Sequence, residues 1–294
     1  MRVLITGIGG MLGNDLARVL KDSHQVIGIG RRKRKFEKKI QYFTCDLLKP
    51  ARLEKYIRKI RPQVIIHSAA KTKVDDCELN PVEAYRENVL ATQFLLRAVS
   101  PYKPLFVYIS TDYVFDGSKN RPYVEQDVPA PLNVYGATKL LGEKLVQDSG
   151  LRWVIVRTSW LYGLKGSNFV ATILKVSHGK KELKVVTDQT GSPTYTKDLA
   201  EALKNIMESR NIRGIFNVTN SNAAHWNQYA KQILSEAGLN HVRILAIKTK
   251  DSQRPARRPL NSRLSNAKFK SFFGYQLRPW QEALKDYLRE SKLQ

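Results

Sequence analysis

The sequence predicts an α/β protein with a doubly wound parallel sheet and a smaller, discontinuous C-terminal domain. Three observations lead to this fold class. The chain has 294 residues, which exceeds the roughly 100 to 200 residues of one ordinary domain. Apolar, strand-like runs alternate with segments of helical periodicity as far as residue 160. A glycine-rich segment stands at the first strand-to-helix junction.

Five apolar runs predict buried strands, because their β-branched residues follow one another without alternation, as in strands that are covered on both faces. The runs are 2–7, 25–30, 63–70, 105–111 and 152–160. Apolar residues recur at helical spacing in the segments between them, which are 12–22, 50–61, 81–100 and 133–150. This alternation predicts parallel strands that are joined by helices.

The second half of the chain has a looser pattern. Helical spacing returns at 167–180 and 225–238, and residues 181–209 predict a strand, a loop and a helix. The run 214–220 is one more strand candidate and indicates a return to the main sheet. The segment 254–269, with its prolines and arginines, is loop-like and is a candidate substrate loop.

The charge is the most unusual bulk property. The sequence has 50 Lys and Arg against 26 Asp and Glu, a formal net charge of +24, with a dense basic run at 31–39. Such an excess attracts anionic ligands. Because the basic residues are spread along the whole chain, a solvated surface is favoured. Recruitment of phosphate-bearing small molecules and nucleic-acid binding are the alternatives, and nucleic acid is the weaker one.

The cysteine and hydropathy patterns predict a cytoplasmic protein. Cys45 and Cys77 have neither the spacing of metal ligands nor a disulfide framework, which is typical of a reducing compartment. The five histidines are scattered, so no metal site is predicted. No apolar segment approaches the roughly 18 to 20 residues that span a bilayer, and the N-terminus begins with a strand rather than a cleavable leader.

Gly7, Gly10 and Gly13 form a G-x-x-G-x-x-G pattern between the first strand and the first helix. The first glycine permits a tight turn, the second lets a pyrophosphate approach the backbone, and the third lets the helix pack closely on the strand. The helix N-terminus offers free N–H groups to phosphate oxygens. A plain turn is the alternative, but the position in the first βαβ unit favours dinucleotide binding.

The end of the second strand indicates which dinucleotide is bound. An NAD-binding unit usually has Asp or Glu there, about twenty residues further on, to bind the ribose 2′-hydroxyl. This sequence has Arg31 and Arg32, which pair with a 2′-phosphate instead. We therefore expect NADPH, with NADH and a merely solvated basic loop as alternatives. Asp46 stands where an adenine-contacting acid is expected, and the small residues within 67–71 allow close approach of a cofactor.

These features predict two domains, each of which consists of two separate segments of the chain. A dinucleotide-binding domain of the Rossmann type comprises residues 1–157 and 194–220. A substrate domain comprises residues 158–193 and 221–294.

Tyr135 and Lys139 are four residues apart, so both side chains project from one helical face. A nearby ammonium favours the phenolate, so we expect Lys139 to lower the pKa of Tyr135 and to make it a proton donor or acceptor. Thr111 ends a buried strand and is expected to face the same crevice. The alternatives are a helix cap for Thr111, a packing aromatic for Tyr135 and a solvated helix residue for Lys139.

Seven sequence blocks together resemble the extended short-chain dehydrogenase/reductase superfamily and, within it, the dTDP-4-dehydrorhamnose reductases. The resemblance covers nearly the whole chain, and its later blocks are more specific than the glycine loop. The blocks are GIGGMLG (7–13), AAKTKVDDCE (69–78), STDYVFDG (110–117), APLNVYGATKLLGEK (130–144), RTSWLYG (157–163), DQTGSPT (188–194) and RPARRPLNSRL (254–264).

The resemblance implies roles for the residues at matching positions. The implied catalytic residues are Thr111, Tyr135 and Lys139. Together with the residues proposed above, the cofactor-binding set is Gly7, Gly10, Met11, Leu12, Gly13, Arg31, Arg32, Asp46, Leu47, Ala69, Ala70, Asn88, Tyr135 and Lys139. The implied substrate-binding residues are Val74, Tyr113, Trp160 and Arg258. A core or interdomain aromatic is the alternative for Trp160, and a surface loop is the alternative for the arginines around Arg258.

The reaction that the resemblance implies is NADPH-dependent reduction of the C4 ketone of dTDP-4-dehydro-L-rhamnose. Tyr135 would protonate the nascent alkoxide, and Lys139 would hold the nicotinamide ribose. Some members of the family use Mg²⁺ at a dimer contact built from acidic residues. Asp15 stands where a glutamate is expected, so a Mg²⁺ site and a homodimer both stay open.

Three other functions remain as alternatives. The chain also resembles the regulatory β subunit of methionine adenosyltransferase, which binds NADP(H) without catalysis, at residues 31–37 and 108–117. A reductase or epimerase of another nucleotide 4-keto sugar is the second alternative, because a fold does not determine its substrate. A basic RNA-binding protein is the third, and salt-dependent binding of unrelated RNA would support it.

Overall fold

The computed structural model describes residues 1–292. Its strands, numbered in chain order, are β1 (Arg2–Thr6), β2 (Gln25–Gly30), β3 (Ile40–Thr44), β4 (Val64–His67), β5 (Leu105–Thr111), β6 (Arg152–Thr158), β7 (Leu161–Tyr162), β8 (Glu182–Val186), β9 (Thr190–Gly191), β10 (Thr194–Tyr195), β11 (Gly214–Asn217), β12 (Ala224–His225) and β13 (Arg243–Ile247). Its helices are α1 (Met11–Leu20), α2 (Pro50–Ile60), α3 (Val74–Leu79), α4 (Pro81–Tyr85), α5 (Ala91–Val99), α6 (Val134–Gln147), α7 (Phe169–Ser177), α8 (Thr196–Glu208), α9 (Trp226–Glu236), α10 (Ala267–Phe273) and α11 (Trp280–Lys292). A π-helix, Arg86–Leu90, joins α4 to α5, and the 3₁₀ turns are Ser100–Tyr102, Asp112–Val114 and Thr249–Ser252.

A seven-stranded parallel sheet forms the centre of the molecule, in the order β11-β6-β5-β4-β1-β2-β3. Val3 of β1 pairs with Val26 of β2 on one side and with Val64 of β4 on the other. The strand order therefore reverses between β1 and β4. In a doubly wound sheet, ligands bind at such a switch point, beyond the carboxyl ends of the strands. The predicted fold class is confirmed.

Two helical layers cover the sheet, because side chains alternate between its faces along each strand. Val3 and Ile5 belong to a core cluster with residues of α1 and α8, among them Leu16. Leu4 belongs to the opposite cluster, which includes Leu53 of α2 and residues of α5. Burial on both faces explains why these strands are continuous apolar runs rather than alternating ones.

The five strands predicted from apolar runs are present as β1, β2, β4, β5 and β6, and the predicted return at 214–220 is β11 beside β6. No sequence pattern predicted β3, β13, α10 or α11. The edge strand β3 is only partly buried, so it lacks the continuous apolar run that marks the other strands.

A second cluster of elements is formed by chain segments that follow β6. It contains the parallel pair β8 and β13, the helices α7, α9 and α11, and a core rich in aromatic rings. Tyr162 and Tyr195 stack with ring centroids 5.4 Å apart, and Tyr287 meets both edge-on. Between β8 and α9, the chain returns to the seven-stranded sheet through α8 and β11. The exact domain bounds stay a prediction.

None of the helices within residues 1–292 combines the length and the apolarity needed to cross a bilayer.

Candidate active site

A cavity of about 430 Å³ opens beyond the carboxyl ends of the central strands, at the switch point of the sheet. It brings together side chains that lie far apart in the sequence: Thr111 from the end of β5, Tyr135 and Lys139 from α6, and Trp160 from the segment after β6. Further lining residues are Gly10, Met11, Leu12, Val74, Asp112, Tyr113 and Trp226. The three residues predicted to be catalytic therefore share one cavity.

Thr111 lies at the point where β5 turns into the 3₁₀ turn Asp112–Val114. Its hydroxyl accepts a hydrogen bond from the Tyr113 backbone N–H at 3.2 Å and donates one to Asp112 Oδ1 at 3.0 Å. The cap interpretation is thus correct, and the same hydroxyl also lines the cavity. Capping fixes the position of this oxygen.

The first turn of α6 is held close to this 3₁₀ turn. Asn133 caps the helix by accepting a hydrogen bond from the Gly136 N–H at 2.9 Å. A Cβ atom at Gly136 would lie only 2.1 Å from the Tyr113 carbonyl oxygen, so only glycine permits this approach. The rings of Tyr113 and Tyr135 consequently lie with their centroids 6.1 Å apart.

Burial raises the pKa of Tyr135 above its usual value, while the Thr111 hydroxyl acts in the opposite direction. The phenol is therefore protonated at neutral pH, which is the form that donates a proton. The expectation that Lys139 lowers the pKa of Tyr135 is wrong for this structure. Burial dominates, and the Lys139 ammonium lies over the ring of Tyr108, 4.0 Å from its centroid.

Burial lowers the pKa of Lys139 to about 7, and the Glu143 carboxylate one turn later partly offsets this by favouring the charged amine. Lys139 is therefore not the solvated helix residue of the alternative interpretation, because it is buried at the base of the cavity. A buried amine that titrates near neutrality is typical of functional sites.

Asp112 lines the cavity and belongs to the block STDYVFDG, but no role was predicted for it. Its carboxyl group is buried, and within residues 1–292 Oδ2 has no hydrogen-bond partner. Burial raises its pKa to about 7, against the opposing effects of Ser262 and Thr111. Its position directly after Thr111, at the end of a buried strand, was the sequence signal that could have predicted a site residue here.

The glycine loop fits a dinucleotide pyrophosphate. Gly7 has φ +69°, and a Cβ atom there would lie 2.8 Å from the Ala69 backbone nitrogen. Gly13 packs the helix on the strand, since its Cβ would lie 2.3 Å from the Gly7 carbonyl oxygen. Among the residues that the structure describes, no side chain caps the N-terminus of α1, and no acidic residue lies in its first turn. The N–H groups there are free for an anion.

The predicted adenosine side is a cleft of about 210 Å³ that shares Gly10, Ser68 and Ala70 with the larger cavity. The predicted residues Gly7, Arg31, Asp46, Leu47 and Ala69 also line it.

Three arginines line an adjoining cleft of about 770 Å³, namely Arg31, Arg32 and Arg34. Arg31 donates to the Glu87 carboxylate at 2.6 Å, so its charge is already paired. Arg34 lies across the glycine loop, because a Cβ atom at Gly9 would be 2.7 Å from its Nε. Sequence reasoning missed Arg34, although it belongs to the same basic run.

Asn88 is buried in the π-helix and lies beneath the cofactor groove rather than in its lining. Its amide accepts from the Lys71 N–H at 2.8 Å and donates to the Lys71 carbonyl and to Thr138. Thr92 and His67 continue this network below the sheet edge. Asn88 therefore fixes Lys71, directly after the residues Ser68 and Ala70 that line both the cavity and the cleft of about 210 Å³.

Trp160 adopts a left-handed backbone conformation with φ +47°, which costs about 1–2 kcal/mol for a residue other than glycine. Its ring faces the cavity and stacks on Trp226. Arg258 lies outside the residues that line this cavity. It donates to both carboxylate oxygens of Asp75, at 2.7 and 2.8 Å, and so ties the arginine-rich loop to α3.

Within residues 1–292, no group of three or more His, Cys, Asp or Glu side chains is placed to hold a metal ion. Asp15 is buried and accepts a hydrogen bond from the Thr196 hydroxyl at 2.5 Å, which joins α1 to α8. Cys45 and Cys77 are buried free thiols.

The comparisons with known proteins identify the family of the chain. The family model described as the RmlD substrate binding domain matches residues 1–293. A Bacillus subtilis spore coat polysaccharide biosynthesis protein, SpsK, is 38% identical, over 98% of this chain and 97% of its own length. A dTDP-4-dehydrorhamnose reductase of Burkholderia thailandensis is 36% identical over 97% of each chain. The crystal structure of a Bacillus anthracis dTDP-4-dehydrorhamnose reductase in complex with NADP is 34% identical, with a TM-score of 0.89 over 98% of this chain and 99% of that one. The chain therefore belongs to the RmlD substrate binding domain family, together with relatives named dTDP-4-dehydrorhamnose reductase.

Proposed function

We propose that this chain reduces the C4 ketone of dTDP-4-dehydro-L-rhamnose with NADPH and forms dTDP-L-rhamnose. The observation that carries the proposal is one cavity that holds Thr111, Tyr135 and Lys139 and shares its wall with the cleft beside the glycine loop. The names and near full-length similarity of the relatives support the choice of substrate.

In this mechanism, NADPH supplies the hydride that the carbonyl carbon accepts when the cofactor is bound. The Tyr135 phenol gives its proton to the carbonyl oxygen. The Thr111 hydroxyl, once it turns away from Asp112 Oδ1, donates a hydrogen bond to the same oxygen. The C=O double bond thus becomes H–C–OH. Tyr135 is left as a phenolate, which regains a proton from solvent, and Lys139 is proposed to hold the nicotinamide ribose.

The substrate-binding part of the proposal depends on residues around the same cavity. Val74, Tyr113 and Trp160 line it and are proposed to contact the sugar. The arginine-rich loop 254–264 is proposed to approach the diphosphate, with Arg258 anchoring the loop through Asp75. A cytoplasmic location stays a prediction, and a homodimer and a Mg²⁺ requirement both stay open.

The activity is tested with purified protein, NADPH and a panel of dTDP-4-keto sugars, by following the absorbance of NADPH. We expect the absorbance to fall with dTDP-4-dehydro-L-rhamnose. A fall only with a different 4-keto sugar would identify another nucleotide-sugar reductase. Binding of NADPH without oxidation by any ketone would instead support a regulatory subunit.

Arg34 is proposed to recognise the 2′-phosphate of NADPH together with Arg31 and Arg32. Arg34→Glu is expected to raise the KM for NADPH by about 10- to 100-fold, the scale of one charged hydrogen bond, and to change the KM for NADH little. The two KM values are measured at saturating sugar nucleotide.

Lys33→Glu is the matched control. It makes the same change of charge next to Arg34, but the Lys33 side chain does not line the cleft. We expect its KM for NADPH to stay within about threefold of the unmodified protein, as for a screened surface charge. Equal effects of the two variants would mean that the basic run acts through its overall charge, and Arg34 would lose its assigned role.

A further inference from the structure

Lys139 lies against an aromatic ring that no step of the proposed reaction uses. Its Nζ lies over the face of Tyr108, 4.0 Å from the ring centroid. The two residues are 3% and 0% exposed, so little water screens the contact. A cation over a π face is stabilised more in such a desolvated place than at an exposed surface.

The Tyr108 ring is held in place by contacts with α6 and β4. Tyr108 belongs to β5, and its hydroxyl reaches the helix, where it donates to the Lys139 carbonyl oxygen at 3.4 Å. A Cβ atom at Gly142 would lie 2.1 Å from this hydroxyl oxygen, so glycine permits the close approach. The ring also packs near the His67 ring of β4, with centroids 5.7 Å apart. These contacts fix the π face next to the ammonium.

The Lys139 ammonium keeps its hydrogen-bond donors. Among the residues that the structure describes, none accepts a hydrogen bond from its Nζ. Glu143 lies one turn further along α6, but its carboxylate already accepts from Arg157 at 2.7 and 3.0 Å and from the Ser110 hydroxyl. A π face attracts a cation without occupying an N–H group. The three donors thus stay available to a ligand in the cavity that Lys139 lines.

Two neighbours oppose the cost of burying this charge, namely the Glu143 carboxylate and the Tyr108 ring. Burial raises the pKa of the Tyr108 phenol, so the ring stays neutral and acts through its π electrons. Burial, and to a smaller extent Lys139 itself, lowers the pKa of His67 to about 3, so this imidazole is uncharged at neutral pH.

We propose that Tyr108 is a positioning residue whose ring face seats the Lys139 ammonium, favours its charged form and leaves its N–H groups free for the ribose hydroxyls of the nicotinamide nucleotide. The inference rests on the proposed function and deepens it, since Lys139 is proposed to hold this ribose. A carboxylate in the same place would also favour the charge, but it would accept the hydrogen bonds that the ribose needs. Tyr108 lies outside the cavity lining and acts only through Lys139.

The first test changes the electron density of the ring and keeps the ring itself. Tyr108→Phe retains the π face, whereas pentafluorophenylalanine at the same position reverses the polarity of that face. The reversed face repels a cation. The pKa of Lys139 should therefore be lower in the fluorinated protein than in Tyr108→Phe by about one pH unit, the scale of one desolvated cation–π contact. Equal pKa values in these two proteins would overturn the proposal.

The pKa of Lys139 is measured by NMR from the Cε chemical shift of protein labelled with carbon-13 lysine, and Lys139→Met assigns the signal. A direct signal is needed because Asp112 and Tyr135 line the same cavity and burial raises the pKa of Asp112 to about 7. A profile of rate against pH would not separate Asp112 from Lys139. The titration requires neither cofactor nor ketone, so it does not depend on turnover.

Phe106→Leu is the matched control for Tyr108→Leu. Phe106 lies two residues earlier on the same face of β5, is equally buried and packs near His67, with centroids 5.9 Å apart. Both variants lose a buried ring, but only Tyr108→Leu should lower the pKa of Lys139. If Phe106→Leu lowered it as much, the Tyr108 ring would be a packing group, and the positioning role would be rejected.

Binding of NADP⁺, measured by calorimetry, tests the consequence for the cofactor. Above its pKa, the charged fraction of Lys139 falls about tenfold for each pH unit. The Kd of the fluorinated protein should therefore exceed that of Tyr108→Phe by up to about tenfold at about pH 8, and the two values should nearly agree at about pH 5. A ratio that is the same at both pH values would contradict the inference. Protein that binds NADP⁺ in the expected way but reduces no 4-keto sugar would contradict only the proposed function.

Discussion

Tyr135→Phe is expected to lower kcat by about 100- to 10,000-fold, the usual contribution of a positioned proton donor. The substitution removes only the phenolic oxygen and keeps the ring that packs near Tyr113. Burial keeps this phenol protonated at neutral pH, so phenylalanine removes the proton that the proposed mechanism transfers. The KM for NADPH should change little. The measurement is the initial rate at saturating NADPH and sugar nucleotide.

Tyr102→Phe is the matched control, since it removes the same oxygen from a 3₁₀ turn that does not contribute to the cavity lining. Its kcat should equal that of the unmodified protein. If Tyr135→Phe were as active as this control, Tyr135 would be a packing aromatic and the proton would come from another group.

Arg157→Met is expected to lower the free energy of unfolding by about 3–5 kcal/mol, as when one partner of a buried ion pair is removed. Arg157 and Glu143 have side chains that are only 2% and 1% exposed and are joined at 2.7 Å. The Arg157 Nε donates to Glu143 Oε1 at 3.0 Å, and the Ser110 hydroxyl donates to the same oxygen at 2.5 Å. Methionine would leave the carboxylate buried beside Lys139 without its main partner. The change is measured by urea denaturation.

Lys39→Met provides the comparison for this prediction. Lys39 bonds Asp22 at 2.7 Å, but the two side chains are 66% and 67% exposed, and water and salt screen such pairs, so they contribute little to stability. We expect the denaturation midpoint of this variant to stay close to that of the unmodified protein. If both variants lost a similar amount of free energy of unfolding, the buried Arg157–Glu143 pair would contribute no more to stability than an exposed pair.

The central sheet was predictable because burial on both faces imposes a continuous apolar run on each inner strand. β1, β4 and β5 satisfy this condition, with every residue after Arg2 buried. β3 does not, since it forms the sheet edge and is only partly buried, and it was missed. Pairing of β8 with β13 joins segments about 60 residues apart, which no local pattern reveals.

The catalytic residues were predictable because local geometry brings them together. Helical spacing places Tyr135 and Lys139 on one face, and a strand end places Thr111 at the crevice. Their electrostatics were not predictable, because the pKa of Tyr135 depends on how deeply the folded chain buries it. The stack of Trp160 on Trp226 likewise depends on tertiary structure, which brings distant segments to one wall.

The cavity around Tyr135 is proposed to reduce a ketone with a hydride taken from the nicotinamide. NADPH with deuterium at C4 of the nicotinamide, prepared as each of the two epimers, tests this claim when the product is analysed by mass spectrometry and NMR. We predict that one epimer gives dTDP-L-rhamnose with deuterium on C4 of the sugar, and that the other gives unlabelled product. Product without deuterium from either epimer, or labelled NADPH that stays unoxidised in the presence of the ketone, would show that this cavity does not carry out the proposed reduction.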